Sequence, residues 1–257
     1  MKNTNQHTRL SYSIKKGFLF FGILLAGFSC HAATANWVIW TNFPSSFGNS
    51  VTVSGTTYRY ATYATGYIID PLNTNNSILV TYNGEVDSST GSRSAIWANS
   101  STYTSSTVSN LPSPNNSYIT LTGYPNLTNK LTFSQPISNF VMAIASLGAG
   151  GAGVNASYNF DSAPVLLSHG SGFWGSENSP LSVSGNVVSG IEGNGTIQFN
   201  GTFTSLSWTT PNDEYYSAFT IGATSVAAPI PEPSAFSLLV IGLGGVIALH
   251  RVRRKED

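Results

Sequence analysis

Between residues 33 and 228 the chain holds one histidine, eight carboxylates and five tryptophans, and these bound the chemistry it can do. A Ser-His-Asp hydrolase needs an imidazole to take the serine proton. His169, in Ser168-His169-Gly170, is the single histidine of this stretch, and no Gly-x-Ser-x-Gly turn accompanies it. It reads as a loop histidine. Zinc sites gather several His or Cys ligands, which this stretch does not supply, so no metal ligand is assigned. A glycosidase needs two carboxylates across a cleft. Asp213-Glu214, beside Tyr215-Tyr216, has the composition of a sugar site, although adjacent acids in a loop are more often solvated. Calcium is the one ion that carboxylates, amides and carbonyls would suit. Asn83-Gly84-Glu85-Val86-Asp87 opens like a calcium loop but has Ser94 at the twelfth place, where an acid is needed. No other cofactor is expected. The aromatics carry the main binding hint. Of Trp37, Trp40, Trp97, Trp174 and Trp208, Trp174 is flanked by glycines in Gly170-Ser-Gly-Phe-Trp-Gly-Ser176 and is the candidate glycan platform. Trp208, on one strand face with Leu206, reads as core.

The elements that must position these side chains are strands. Residues 33–228 are rich in Ser, Thr, Asn, Gly and Tyr and poor in helix formers. Short β-branched or alternating segments recur between Gly, Asn and Pro clusters, among them Trp37–Trp40, Tyr58–Tyr63, Ile78–Tyr82, Ser94–Trp97, Phe140–Ala145 and Phe203–Trp208. A spacing of roughly 8–15 residues is the pattern of an all-β, antiparallel β-sandwich or jelly-roll-like body. Phe140–Ser146 is nearly all apolar, which predicts a central strand buried on both faces. Asn200-Gly201 predicts a type I′ hairpin, since both residues accept positive φ. The step from Phe203 to Leu206 breaks the period of two and predicts a bulge near Thr204-Ser205. Asn99–Asn116, dense in Ser and Thr, reads as a long exposed loop. Gly148–Gly153 reads as a loop after a buried strand, because no helix pattern or Lys-Ser/Thr follows to make a phosphate cradle.

The formal net charge of zero hides an uneven distribution. Residues 33–228 keep only Arg59, Arg93 and Lys130 against eight acids, a net −5. Nucleic-acid binding needs clustered cations and is excluded on this ground. The remaining basic residues sit at the two ends. Lys2, Arg9, Lys15 and Lys16 precede apolar Gly17–Phe28, and Cys30-His31-Ala32 closes on a small residue. This is a secretory signal peptide pattern over residues 1–32, cut after Ala32. The weighed alternatives are an uncleaved anchor and lipoprotein processing at Cys30, which lacks the usual upstream leucine. Cleavage leaves an exported body, 33–228, with no cysteine, so packing rather than disulfides must hold it.

Residues 229–257 form a second address: a proline spacer around Pro231-Glu232-Pro233, uncharged Ala235–Leu249, and a basic stop of Arg251, Arg253, Arg254 and Lys255. As a helix, residues 235–249 rise about 22 Å at roughly 1.5 Å each, short of the ~20 residues a bilayer core usually takes. Snorkelling of the basic side chains makes up part of the deficit. A transmembrane helix of this length suits a temporary anchor, its basic end facing the cytoplasm.

The order Pro-Glu-Pro, apolar span, arginine-rich end resembles the PEP-CTERM sorting signal of Gram-negative bacteria. The resemblance covers Pro231 to Lys255 and departs from the pattern in the acidic Glu256-Asp257 that follow. It implies export through the Sec translocon, transient anchoring in the inner membrane, and cleavage by an exosortase, an integral-membrane cysteine protease. The implied destination is the cell surface or extracellular matrix, in association with exopolysaccharide. The wording of residues 131–148 and 193–208 is similar to the β-sandwich bodies of such proteins, which carry no characterised chemistry. The expectation is therefore an exported, non-enzymatic surface or matrix protein. The alternatives are a carbohydrate-binding module using Trp174 and, third, a secreted hydrolase using Asp213 or Glu214.

Overall fold

Alternating and β-branched segments become strands throughout the body. The computed structural model describes residues 32–226, without 44–45, 71–72, 74, 89, 91–95, 114–117, 176–178, 212–213 and 215. The signal peptide, the Pro231–Pro233 motif, the expected 235–249 helix and the basic stop lie outside the described residues. No helix among those described is long and apolar enough to cross a membrane.

The fold is all-β, and its strands pair antiparallel into two sheets, an arrangement consistent with a β-sandwich. The smaller runs β1 (Asn36–Trp37), β15 (Ser217–Ala223), β8 (Val141–Leu147), β13 (Gly193–Gln198) and β10 (Val165–His169), with β6 (Ile119–Leu121) also on β15. The larger runs β11 (Ser179–Ser184), β12 (Val187–Ile191), β9 (Ala156–Phe160), β14 (Thr202–Thr209), β7 (Thr128–Ser138), β5 (Ser77–Asp87), β4 (Thr56–Ile69) and β2 (Ile39–Asn42). There β3 (Asn49–Val53) pairs β4 and β16 (Ser225–Val226) pairs β7.

One core takes side chains from both sheets: Trp40, Tyr82, Tyr158 and Trp208 from the larger, Met142, Ile144, Ile197 and Phe219 from the smaller. Phe219 meets Trp208 edge-on, with ring centroids 5.2 Å apart, a favoured aromatic geometry. Trp208 is core, as its strand face predicts. All seven residues of β8 are buried, as its apolar run predicts. Met142 and Ile144 face the shared core, while Val141, Ala143 and Ala145 face a second one with Ile96, Trp97, Tyr103 and Val108.

That second core corrects two expectations. Ile96 and Trp97 form a turn rather than a strand; they are buried by packing, with Trp97 edge-on to Tyr103 at 5.0 Å. The segment after them is not a long exposed loop. It carries a short helix α1 (Ser100–Tyr103) and a bridge from Val108 to Ala33, and it covers the outer face of β8. Its Ser and Thr are spent on local bonds such as Ser105 Oγ accepting the Thr107 and Val108 N–H groups.

A third correction concerns Asn200-Gly201. β13 and β14 lie in different sheets, so this dipeptide is a crossover, and only Gly201 takes positive φ, 113°. Its partner is the crossover between β7 and β8. Asn139 N–H donates to the Gly201 carbonyl, and Gly201 N–H donates to Asn139 Oδ1. The type I′ signature falls instead at Ser54-Gly55, φ 49° and 81°, between β3 and β4, whose register pairs Val53 with Thr56. The β14–β7 register does shift between Phe203 and Ser205, but the pairing passes from Ile137 to Thr132 over the same step, so the extra residues lie in β7 and not at Thr204-Ser205.

Candidate functional site

The loop before β11 displays Trp174. Gly172 and Gly175 bond reciprocally, each N–H donating to the other's carbonyl, so Phe173 and Trp174 sit at the tip of a two-residue turn. Gly172 packs against Asn194 so closely that a Cβ would overlap the amide. The preceding Ser171 carbonyl accepts from the Asn99 amide and, at 2.8 Å, from the Thr102 hydroxyl. The backbone is thus tied to α1 while the aromatic tip faces solvent: Phe173 and Trp174 are 43 % and 44 % exposed. The other four tryptophans are buried.

Trp174 lies 4.7 Å from the ring of half-buried Tyr216, at 62°. Tyr216 in turn lines a surface groove of about 420 Å³. Further lining comes from the start of β4, where Tyr58 and Arg59 follow the Ser54-Gly55 turn, and from Asp87 at the end of β5. Tyr58 is backed by Tyr124, centroids 4.4 Å apart. Thr122, just past β6, completes the set. Two tyrosines, each held by a second ring, therefore flank a carboxylate, a guanidinium and hydroxyls.

The groove rests on two buried carboxyl groups. Glu85 accepts from Thr122 Oγ1 at 2.6 Å, Thr122 N–H at 2.8 Å and Gly123 N–H at 2.9 Å, which fixes the 122–123 loop. Burial raises its pKa; the Thr122 hydroxyl and the two N–H groups oppose the rise, and the Asp87 charge adds to it. Glu214 is also buried, against the expectation of a solvated loop acid, and its carboxylate accepts from Gly148 N–H. Burial pushes its pKa well above the usual carboxyl range, opposed by the Ser217 hydroxyl and the Gly148 N–H and reinforced by Glu192 and Glu85. Its own N–H donates to the Thr122 carbonyl, so the segment leading to Tyr216 is locked to the same loop. Beneath, Asn129 Oδ1 accepts from Tyr82 Oη at 2.6 Å and Glu85 N–H at 3.0 Å. Burial, reinforced by the Glu85 and Tyr158 charges, holds the Tyr82 hydroxyl well above its ordinary pKa.

The remaining candidates are not brought together. His169 is exposed on β10, and the neighbouring Ser168 hydroxyl donates to the Thr102 carbonyl at 2.7 Å. Asp213 lies outside the described residues. Glu85 and Asp87 belong to β5 rather than to a calcium loop, and no cluster of three metal-ligating side chains occurs among the described residues. Sequence reasoning singled out Trp174 and, separately, Tyr216; it weighed Asp87 only as an acid of a calcium loop and did not connect it, Tyr58 or Arg59 with this groove. Nothing local marks those three, because strand pairing and the Tyr58–Tyr124 contact bring them to the groove. Comparison with protein families, curated proteins and solved structures finds no match.

Proposed function

We propose that the chain is an exported cell-surface or extracellular-matrix protein, sorted by an exosortase and non-enzymatic in its body. The observation that carries this reading is the ordered tail: Pro231-Glu232-Pro233, uncharged residues 235–249, then Arg251, Arg253, Arg254 and Lys255. The N-terminal signal pattern and the cysteine-free, mildly acidic body support it. A jelly-roll-like sandwich between a cleaved leader and a temporary anchor is the architecture that goes with it. The non-enzymatic part is supported by the side chains that would do hydrolysis. Glu214 is buried on a backbone N–H, and Ser168 bonds a carbonyl instead of an imidazole.

The test is deletion of Pro231–Pro233 in a host that carries an exosortase. The unaltered protein is expected to leave the inner membrane as a shortened form, and the deletion variant to stay there at full length. Normal release of the variant overturns the exosortase reading.

A further inference from the structure

We propose that the groove between Tyr58 and Tyr216, extended by Trp174, binds a neutral polysaccharide. This deepens the surface-protein reading by naming a ligand, and rests on it only for where that ligand is met. Four observations carry it. First, two tyrosines line the groove, and each is backed by a second ring, Tyr58 by Tyr124 and Tyr216 by Trp174. The C–H faces of a pyranose ring stack on such rings, whose faces carry negative quadrupole charge. Second, the polar groups between them are those that hold sugar hydroxyls. The exposed Arg59 guanidinium donates as a planar fork and the Asp87 carboxylate, mostly buried, accepts, while buried Thr122 gives its own hydroxyl to Glu85 and fixes the loop. Third, the charges in the groove balance, one acid against one base, within a body of net −5. A polyanion is repelled at long range and finds no cationic cluster at short range. Fourth, the lining is held in place before any ligand arrives. The Ser54-Gly55 turn precedes Tyr58 and Arg59, the Glu214–Thr122 bond holds the segment leading to Tyr216, and the Gly172–Gly175 turn holds Trp174, which reduces the ordering cost of binding. A volume of about 420 Å³ is within the usual range for a ligand site. Because the groove opens on the surface and Trp174 adjoins its Tyr216, it suits a stretch of chain passing through.

The experiment is affinity electrophoresis of the full chain, solubilised in a zwitterionic detergent without a sugar head group. The gels contain mixed-linkage β-glucan, galactomannan, arabinoxylan or dextran as neutral probes, and alginate as the anionic one. Retardation by at least one neutral polymer is expected, while any retardation by alginate, which the basic ends of the full chain attract, should be unchanged by Trp174→Ala. Trp174→Ala and Tyr216→Ala should each weaken binding to the neutral polymer about tenfold, while Tyr216→Phe, which keeps the ring, stays within about twofold. Leu79→Ala, an exposed apolar residue at the far end of β5 from Asp87, should change nothing. Thermal melts check folding; if Tyr216→Ala unfolds, the comparison of Trp174→Ala with Trp174→Phe decides. No retardation by any neutral probe, retardation by alginate alone, or equal retardation of the alanine variants overturns the proposal. Deleting Pro231–Pro233 should leave the affinity unchanged, so the sorting and binding readings fail separately.

Discussion

Glu214 shows how a single side chain sets a property of the molecule. Burial raises its folded-state pKa, so the native chain keeps a proton that the unfolded chain releases above the ordinary carboxyl value, about pH 4. This contribution to stability is full below that pH and is lost as pH rises through the folded-state value. Glu85, raised by the same cause, acts with the same sign. The thermal midpoint should therefore fall as pH rises above the ordinary carboxyl range. Glu214→Gln stays neutral and keeps an acceptor for Gly148 N–H, so it should flatten most of that fall. A wild-type midpoint that is level or climbs above that range would refute this. Asn129 sets a second residue-scale expectation. Asn129→Leu strands the Glu85 N–H and takes one partner from the Tyr82 hydroxyl, at a cost of about 2–3 kcal/mol. Urea denaturation reads it, and a loss below about 0.5 kcal/mol would show the network to be dispensable. At this scale Trp174 was legible, because flanking glycines make a turn whose tip no core can cover. Glu214 was not, because its burial depends on Gly148, 66 residues away, delivering an N–H.

Turns and crossovers decide what each strand does, and they were only half legible. Ser54-Gly55 and Asn200-Gly201 are similar as local signals, yet only the first closes a hairpin. What separates them is pairing at a distance: β14 lies on β7 and β9, while β13 lies on β8 and β10. By contrast, the burial of β8 follows from its apolar run alone, whereas the irregularity opposite Phe203–Ser205 lies in β7, where the break in β14's period did not point. The turn yields a stabilising prediction. Ser54 bears a side chain at φ 49°, a region asparagine tolerates better. Ser54→Asn should raise stability by about 0.5 kcal/mol, read as a higher urea midpoint; a lower midpoint sinks the type I′ assignment. The glycine loop yields the opposite. Gly148 has φ 83°, and a Cβ there would overlap the carbonyl oxygens of Gly190 and Val154. Gly148→Ala should cost about 3 kcal/mol or more and disturb the Glu214 contact with it. A thermal midpoint near that of the unaltered protein would show that the loop yields.

For the molecule as a whole, the all-β class was legible from scarce helix formers and frequent β-branched segments, but the division into two sheets was not. The chain passes repeatedly from one sheet to the other, at Val38, at Asn139 and at Asn200-Gly201 among other places, so no contiguous stretch makes up either sheet. The smaller sheet gathers β1, β6, β8, β10, β13 and β15 from nearly the full length of the body. β8 then joins the two cores, with Met142 and Ile144 in one and Val141, Ala143 and Ala145 in the other. A chain interleaved in this way cannot lose one layer while keeping the other, since each crossover belongs to both. Equilibrium unfolding should be a single transition, with tryptophan fluorescence and far-ultraviolet dichroism superimposing. Folding should be slow, because most of the pairing outside the β3–β4–β5 and β11–β12 hairpins is between distant segments. The sharper form of the test uses Trp37 and Trp97, in the outer core, against Trp40 and Trp208, in the shared one. Replacing both Trp37 and Trp97 by Phe removes the outer-core reporters, and the remaining fluorescence transition should still coincide with the dichroism change in the same variant. Two separated transitions would mean that the 96–118 segment and the outer face of β8 come apart on their own, and the two cores would then not form one cooperative unit.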